Sequence, residues 1–259
     1  MTAELHTSRS DCTLIIAISD PETRNELHPD MVAAAIEIVS TAERDESVLA
    51  IVLTGAGNVF SSGTNLHHLL ENRVQDKATQ IDATDNLHNL MEAVRNCTKP
   101  IIAAVEGAAI GSGFSLALSC DMIVASASAI FMISNIGLGM TPDGGGSWLV
   151  TRVLPRQLAT EVLTTGKAIS AERLHALGIV NYVVAEGTTL ETALALADEI
   201  SRLPCEAVEA TRSLIQDASN HTLAQHFGTE KHHFIESLHH WNAQEGISAF
   251  FDKRKPRFQ

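Results

Sequence analysis

The chain is short of positive charge, with 18 Lys and Arg against 31 Asp and Glu, a formal net charge of −13. That excludes a broadly basic face for nucleic acid or an anionic membrane, and an anionic ligand requires a local basic patch. Cysteine is scarce and scattered: Cys12, Cys97, Cys120 and Cys205 form no CxxC pair. Neither a zinc knuckle nor a disulfide framework is suggested, which points to a reducing compartment. Long apolar runs are missing as well. The opening MTAELHTSRSD lacks the apolar core of a signal sequence, and no later run is long enough to span a bilayer, so a cytoplasmic protein is expected. After Pro204 strand signals are absent too, which marks a candidate boundary between a core, 1–203, and a helical C-terminal region, 204–259.

What is present centres on KPIIAAVEGAAIGSGFSLALSCDMIVAS, Lys99 to Ser126. Ile101 to Val105 is an apolar, partly β-branched run of strand length, which reads as a strand buried on both faces. Gly107, Gly111 and Gly113 then lead into a helical stretch from Phe114 to Cys120, giving a strand, a tight turn and a helix N-terminus. Free N–H groups at such a point, with the helix dipole, suit an anion or an oxygen that becomes negative.

Along the chain, Leu5–Ser8 and Thr13–Ile18 read as a hairpin turning at Ser10 and Asp11. Pro21 and Asn25 mark a loop, and Pro29 opens a helix whose apolar stripe is Met31, Ala35, Ile36 and Val39. Val48–Thr54 is a further buried strand that runs into GAGNVFSSGTNL, a loop placed where ligands bind in α/β proteins. His67 to Asp85 is polar and weakly periodic, so a mobile surface element forming a pocket wall is expected. A helix over Asn86–Val94 and short strands at Met122–Ala125 and Ile130–Ile133 follow. A second glycine-rich bend, MTPDGGG, precedes a helical run from Trp148 to Leu154. Thr188 and Glu191 read as a capping box. The succession of strand, strand and helix recurs about three times before residue 150, hinting at a coiled ββα repeat.

With these segments in order, FSSGTNL, the stretch Pro100–Asp121, and FMISNIGLGMTPDGGG together resemble the crotonase (enoyl-CoA hydratase/isomerase) superfamily. The likeness runs from RNEL at Arg24–Leu27 through TGKAISAERLHALGIVNYVV to the closing FFDKRKP. It implies an α/β fold, a spiral of ββα units, with C-terminal helices that build a homotrimer or a dimer of trimers. It also implies a pocket for an acyl-CoA thioester and needs no metal or redox cofactor, since coenzyme A enters as part of the substrate. On this resemblance the oxyanion-hole N–H groups fall on Thr64 and Ser112, where the family more often has glycine at the second position. Arg24 and Lys253 match places for basic CoA contacts, and the backbone around Ser62, Thr64 and Leu66 matches the adenine pocket.

The carboxylates depart from the family's hydratases, whose two glutamates correspond here to Ser115 and Asn135. Neither side chain can take a proton at neutral pH, so the two-glutamate route to water addition is lost. Asp143, in MTPDGGG, is similar to the aspartate that family isomerases, epoxyphenylacetyl-CoA isomerase among them, place beside the acyl chain. The expected activity is a double-bond shift in an unsaturated acyl-CoA: Asp143 moves the proton while the Thr64 and Ser112 N–H groups hold the enolate oxygen. Should the proton travel otherwise, Glu71, Glu92 and His67 are next in line. Three alternatives stay open: a hydratase with a rewired base, ring opening or C–C cleavage through the same enolate, and a non-catalytic acyl-CoA-binding subunit.

Overall fold

In the computed structural model, which describes residues 4–258, the chain coils through four successive strand–strand–helix units. The hairpin β1 (Glu4–Ser10) and β2 (Thr13–Ser19) leads to β3 (Glu26–Leu27) and α1 (Pro29–Arg44). Next come β4 (Ala50–Gly55) and β5 (Gly63–Thr64) with α2 (Leu66–Asn72) and α3 (Lys77–Asn96). The third unit is β6 (Ile101–Val105), β7 (Ala108–Ile110) and α4 (Ser112–Ser119). The fourth is β8 (Met122–Ser126) and β9 (Ile130–Met132), a 3-10 turn at Asn135–Leu138, then α5 (Gly146–Val153) and α6 (Arg156–Thr165). β10 (Ile169–Ser170), α7 (Ala171–Ala176), β11 (Tyr182–Val184) and α8 (Thr189–Ser201) complete the core, followed by α9 (Cys205–Ala218), α10 (Leu223–His239) and α11 (Trp241–Phe251).

The first strand of each unit joins one sheet in the order β1-β2-β4-β6-β8-β11, parallel except for β1. The second strands stack beside it: β3 pairs with β5, a bridge from Ser61 to Ala109 leads on, and β7 pairs with β9. This is the α/β spiral expected. The physical cause lies in the two-sided burial of the first strands. In β4, Ile51 and Leu53 face the main core with Leu90 and Val94 of α3, while Ala50 and Val52 pack with Ala193 and Ala197 of α8. A strand covered by helices on both faces must be apolar at every position, and the small alanines admit close packing of α8.

Three sequence expectations need correction. The central stretch is not one strand, a turn and a helix: after Gly107 a further strand, β7, intervenes and reaches α4 only past Gly111. The polar segment from His67 to Asp85 is helical, divided between α2 and the first half of α3. Weak amphipathic periodicity hid it because α2 buries no residue completely and α3 buries side chains only from Leu87 onward. The box at Thr188 and Glu191 does not form. Thr188 Oγ1 donates instead to Ala185 O at 2.8 Å, and the start of α8 is capped by Glu106, whose Oε1 accepts from Gly187 N at 2.8 Å and Thr189 Oγ1 at 2.9 Å. A carboxylate at a helix N-terminus gains from the dipole as well as the hydrogen bonds, and this one comes from the end of β6. A capping box does occur at Thr222 and Gln225, opening α10.

α9 is fastened to the core by Arg212. Its guanidinium donates to Asp121 Oδ2 at 2.8 Å, to Arg95 O at 2.8 Å, to Val94 O at 3.2 Å and to Cys97 O. It thus satisfies the last carbonyls of α3. α10 and α11 instead expose Phe227, Phe234, Trp241, Phe250 and Phe251. No helix among the described residues is long and apolar enough to cross a membrane.

Candidate active site

The site forms where the second strands end. Asn25 begins it: fully buried, with a positive φ that Asn tolerates, it donates through Nδ2 to Ala56 O at 2.9 Å and Val59 O at 2.7 Å. The loop after β2 is thereby sewn to the loop after β4. Ser61 Oγ donates to Asn25 O at 2.7 Å, and Ser62 N–H donates to Arg24 O at 3.0 Å. Gly63 has φ +88°, and a Cβ there would lie 2.4 Å from Ile110 O and 3.2 Å from Ser112 N. Glycine is therefore required for Thr64 and the start of α4 to come together.

They do come together, through side chains as well as backbone. Thr64 Oγ1 lies 2.8 Å from Ser112 Oγ and 3.1 Å from Asp143 Oδ2, and Asn135 Nδ2 donates to Asp143 Oδ1 at 3.3 Å. Each hydroxyl has one proton, and an ionised carboxylate only accepts. The bonds therefore run from Ser112 to Thr64 to Asp143, with Asn135 holding the other carboxylate oxygen. Ser112 is fully buried and is the first residue of α4, whose N-terminus has no side-chain cap. Its N–H is one of the groups that a helix start leaves without an intrahelical partner.

Thr64 and Asp143 line a cavity of about 150 Å3, walled by Leu27 and Val32 together with residues of α2 and α3. The pocket-wall role expected of the His67–Asp85 segment is met by His68, Asn72 and Gln80. His67 is exposed, whereas His68 lies one turn past the cap Asn65 and turns inward. Among the described residues of the lining, Asp143 is the one carboxylic acid and His68 the one histidine. Glu71 and Glu92 are exposed and outside the lining.

The remaining sequence-derived residues fall around this centre. Ser115 is fully buried in α4, its hydroxyl directed at Gly111 O at 3.5 Å, and a Cβ on Gly146 would sit 3.0 Å from it. Asn135 touches the centre through Asp143 and also donates to Thr141 O at 3.1 Å. Arg24 and Leu66 are exposed at the edge near Ser62. Lys253 lies just past α11, exposed, and no described contact ties it to the cavity. Glu26, which sequence reasoning did not single out, has its carboxyl pushed up by burial and by Asp20, against the pull of His67, His28 and the Leu66 N–H. Its Oε2 is buried without a partner among the described residues. Only its place between Arg24 and Leu27 in RNEL hinted at it.

Comparison with known proteins bears on this arrangement as a whole. A family model described as enoyl-CoA hydratase/isomerase matches residues 9–259. The chain is 31% identical over 257 residues to the 2,3-dehydroadipyl-CoA hydratase of Escherichia coli, covering 99% of each. It is also 31% identical over 249 residues to the 1,2-epoxyphenylacetyl-CoA isomerase of the same organism, covering 95% of this chain and 94% of that one. Among solved structures, an enoyl-CoA hydratase from a Polaromonas species superposes with a TM-score of 0.96 at 44% identity, over 98% of this chain and 99% of that chain.

Proposed function

Because the chain belongs to the enoyl-CoA hydratase/isomerase family, whose members here include a hydratase and an isomerase, we propose that it shifts a double bond in an unsaturated acyl-CoA. The observation that carries this reading is the lone carboxylate: among the described residues of the cavity lining Asp143 is the one acid, and on the resemblance the places of the hydratase glutamates fall on Ser115 and Asn135. In the proposed reaction the thioester oxygen is held by the N–H groups of Thr64 and Ser112. Asp143 takes a proton from the α-carbon of a βγ-unsaturated ester, negative charge moves onto the thioester oxygen, and the carboxylic acid returns the proton to the γ-carbon. Two preorganised donors at that oxygen are worth a few kcal/mol at the transition state. The Thr64 hydroxyl and Asn135 amide aim the two lone-pair edges of Asp143, which lowers the cost of orienting the base.

Arg24, Ser62, Leu66 and Lys253 belong to the same proposal as contacts to coenzyme A, with Ser115 and Asn135 packing the reacting end. The region 204–259 is proposed as the oligomerisation region of a homotrimer or dimer of trimers, supported by the exposed Phe227 and Phe234 of α10 and Phe250 of α11. A cytoplasmic setting is supported by four free cysteines.

The deciding experiment offers the protein a βγ-unsaturated and an αβ-unsaturated acyl-CoA in deuterium oxide. Isomerisation gives an αβ product of unchanged skeleton, with deuterium exchanged at carbon and no gain in the mass of water. A product heavier by water refutes the isomerase in favour of a hydratase, and binding with neither double-bond migration, gain of water nor α-proton exchange refutes both in favour of a binding subunit.

A further inference from the structure

Beyond the reaction class, the cavity wall carries information about the acyl group. α2 and α3 present to it Asn65, His68, Asn72, Gln80 and Thr84, a polar patch set among Leu69, Ala83 and Leu87 of the same helices, with Leu27 and Val32 also in the lining. Much of its hydrogen-bonding capacity is spent inside the wall. Asn65 Oδ1 accepts from His68 N at 2.7 Å, capping α2, and Gln80 Nε2 donates to Asn72 O at 2.8 Å and Gln75 O at 3.2 Å. His68 Nε2 and Asn72 Nδ2 are 2.8 Å apart. With Asn72 donating in that bond, His68 carries its proton on Nδ1.

What remains is a mixed set. Among the described residues, the acceptors Asn72 Oδ1 and Gln80 Oε1, and the donors His68 Nδ1–H and Asn65 Nδ2, have no partner in the chain. A wall built for an alkyl chain has no use for such groups, because covering them with methylenes removes their water without replacing its hydrogen bonds. Nor does the wall suit a distal carboxylate, since no Lys or Arg lines the cavity and Asp143 already contributes an anion. A hydroxyl, which donates once and accepts as well, matches acceptors and donors side by side.

We propose that the natural acyl group is short and carries a hydroxyl at its distal end, received by His68, Asn72 and Gln80. The length follows from α2: His68 and Asn72 are about 4.5 and 10 Å along the helix from Asn65, at 1.5 Å per residue. Since Asn65 adjoins Thr64, a chain held by its thioester oxygen at Thr64 meets the polar wall within that distance. This inference rests on reading the cavity as the acyl pocket, and it separates from the isomerase reading because it is tested by binding alone.

Calorimetry on the full-length protein with butanoyl-, hexanoyl- and octanoyl-CoA, and with the ω-hydroxy counterpart of each, measures the preference on saturated esters that cannot isomerise. At the best-fitting length the hydroxy ester is expected to bind about five- to tenfold tighter, the net worth of one or two hydrogen bonds. Asn72→Leu and Gln80→Leu are each expected to shrink that ratio toward unity while plain-ester binding holds or improves. Equal or tighter binding of the plain ester at all three lengths overturns the inference, whatever the variants do. A hydroxy preference in a protein that never exchanges α-protons leaves this inference standing and removes the isomerase. Isomerisation of plain esters without a hydroxy preference does the reverse.

Discussion

Replacing Asp143 by asparagine isolates the proton from everything else the residue does. The carboxylate holds two bonds, from Thr64 Oγ1 at 3.1 Å and from Asn135 Nδ2 at 3.3 Å. An amide of the same shape keeps both if its oxygen faces Asn135 and its nitrogen faces Thr64. Thr64 then accepts from that nitrogen, turns its own proton to Ser112 Oγ, and the hydroxyl pair reverses without moving a heavy atom. Loss of the charge-assisted character of these bonds costs about 1–2 kcal/mol, which accounts for at most about a 30-fold loss of rate. Loss of a general acid–base costs about 100- to 10,000-fold, or roughly 2.7–5.5 kcal/mol of barrier. The assay is double-bond migration followed by ultraviolet absorbance, together with α-proton exchange by mass spectrometry. Acyl-CoA binding is measured in parallel and is expected within a few-fold of the parent. A variant that binds normally and loses less than about 30-fold refutes the assignment of Asp143 as the base, and His68, the other titratable group in the lining, becomes the residue to replace.

Thr64→Val removes the hydroxyl that ties Ser112 to Asp143 but leaves the backbone N–H, so turnover should fall by about five- to tenfold, with Thr64→Ser restoring it; equal rates in all three would leave the hydroxyl without a role. Arg212→Met strips Asp121 of its partner and the end of α3 of its donors, and chemical denaturation should show a loss of about 3–5 kcal/mol. Arg212→Lys should recover only part of it, because an ammonium cannot reproduce the fork. Acid should loosen the C-terminal tail first. Glu245 accepts both guanidinium nitrogens of Arg254 at 2.6 and 2.8 Å and the Arg257 N–H at 2.7 Å, which pull its carboxyl down from 4.5 to about 2. A carboxylate depressed by folding stabilises above its unfolded value and loses that contribution as pH falls toward the folded one. Protection of the Arg257 amide, its exchange rate relative to the intrinsic rate at the same pH, should therefore fall between about pH 4.5 and 2, and Glu245→Gln should show the low protection already at neutral pH; unchanged protection in that variant would exclude the contact as what holds the tail.

How much was legible in the sequence can be judged residue by residue. Ile101–Val105 and the strand that begins after Val48 needed no partner to be recognised, because a run buried on both faces is apolar at every position. Asp143 could be singled out because the resemblance puts Ser115 and Asn135 where hydratases carry acids, and the fold places Asp143 in the cavity. The helices over His67–Asp85 were hidden, since a helix that walls an open pocket shows polar residues on its inner face as well as its outer one. The cap of α8 was misassigned for a different reason: local spacing offered Thr188, but Glu106, distant in sequence, reached Thr189 better.

The sequence by itself determined the strands buried on both faces, the placing of glycine where chains must approach, and the single acid, Asp143, of the second glycine-rich bend. These are properties of single positions and short windows, where backbone sterics and hydrophobic periodicity act. The tertiary structure alone decided that Thr64, Ser112, Asn135 and Asp143 share one hydrogen-bonded chain, that His68 rather than His67 enters the cavity, and that Asn25 sews its rim. Those contacts join residues brought together by the coiling of the ββα units, and no rule of local spacing encodes which side chains meet when successive turns of the coil stack.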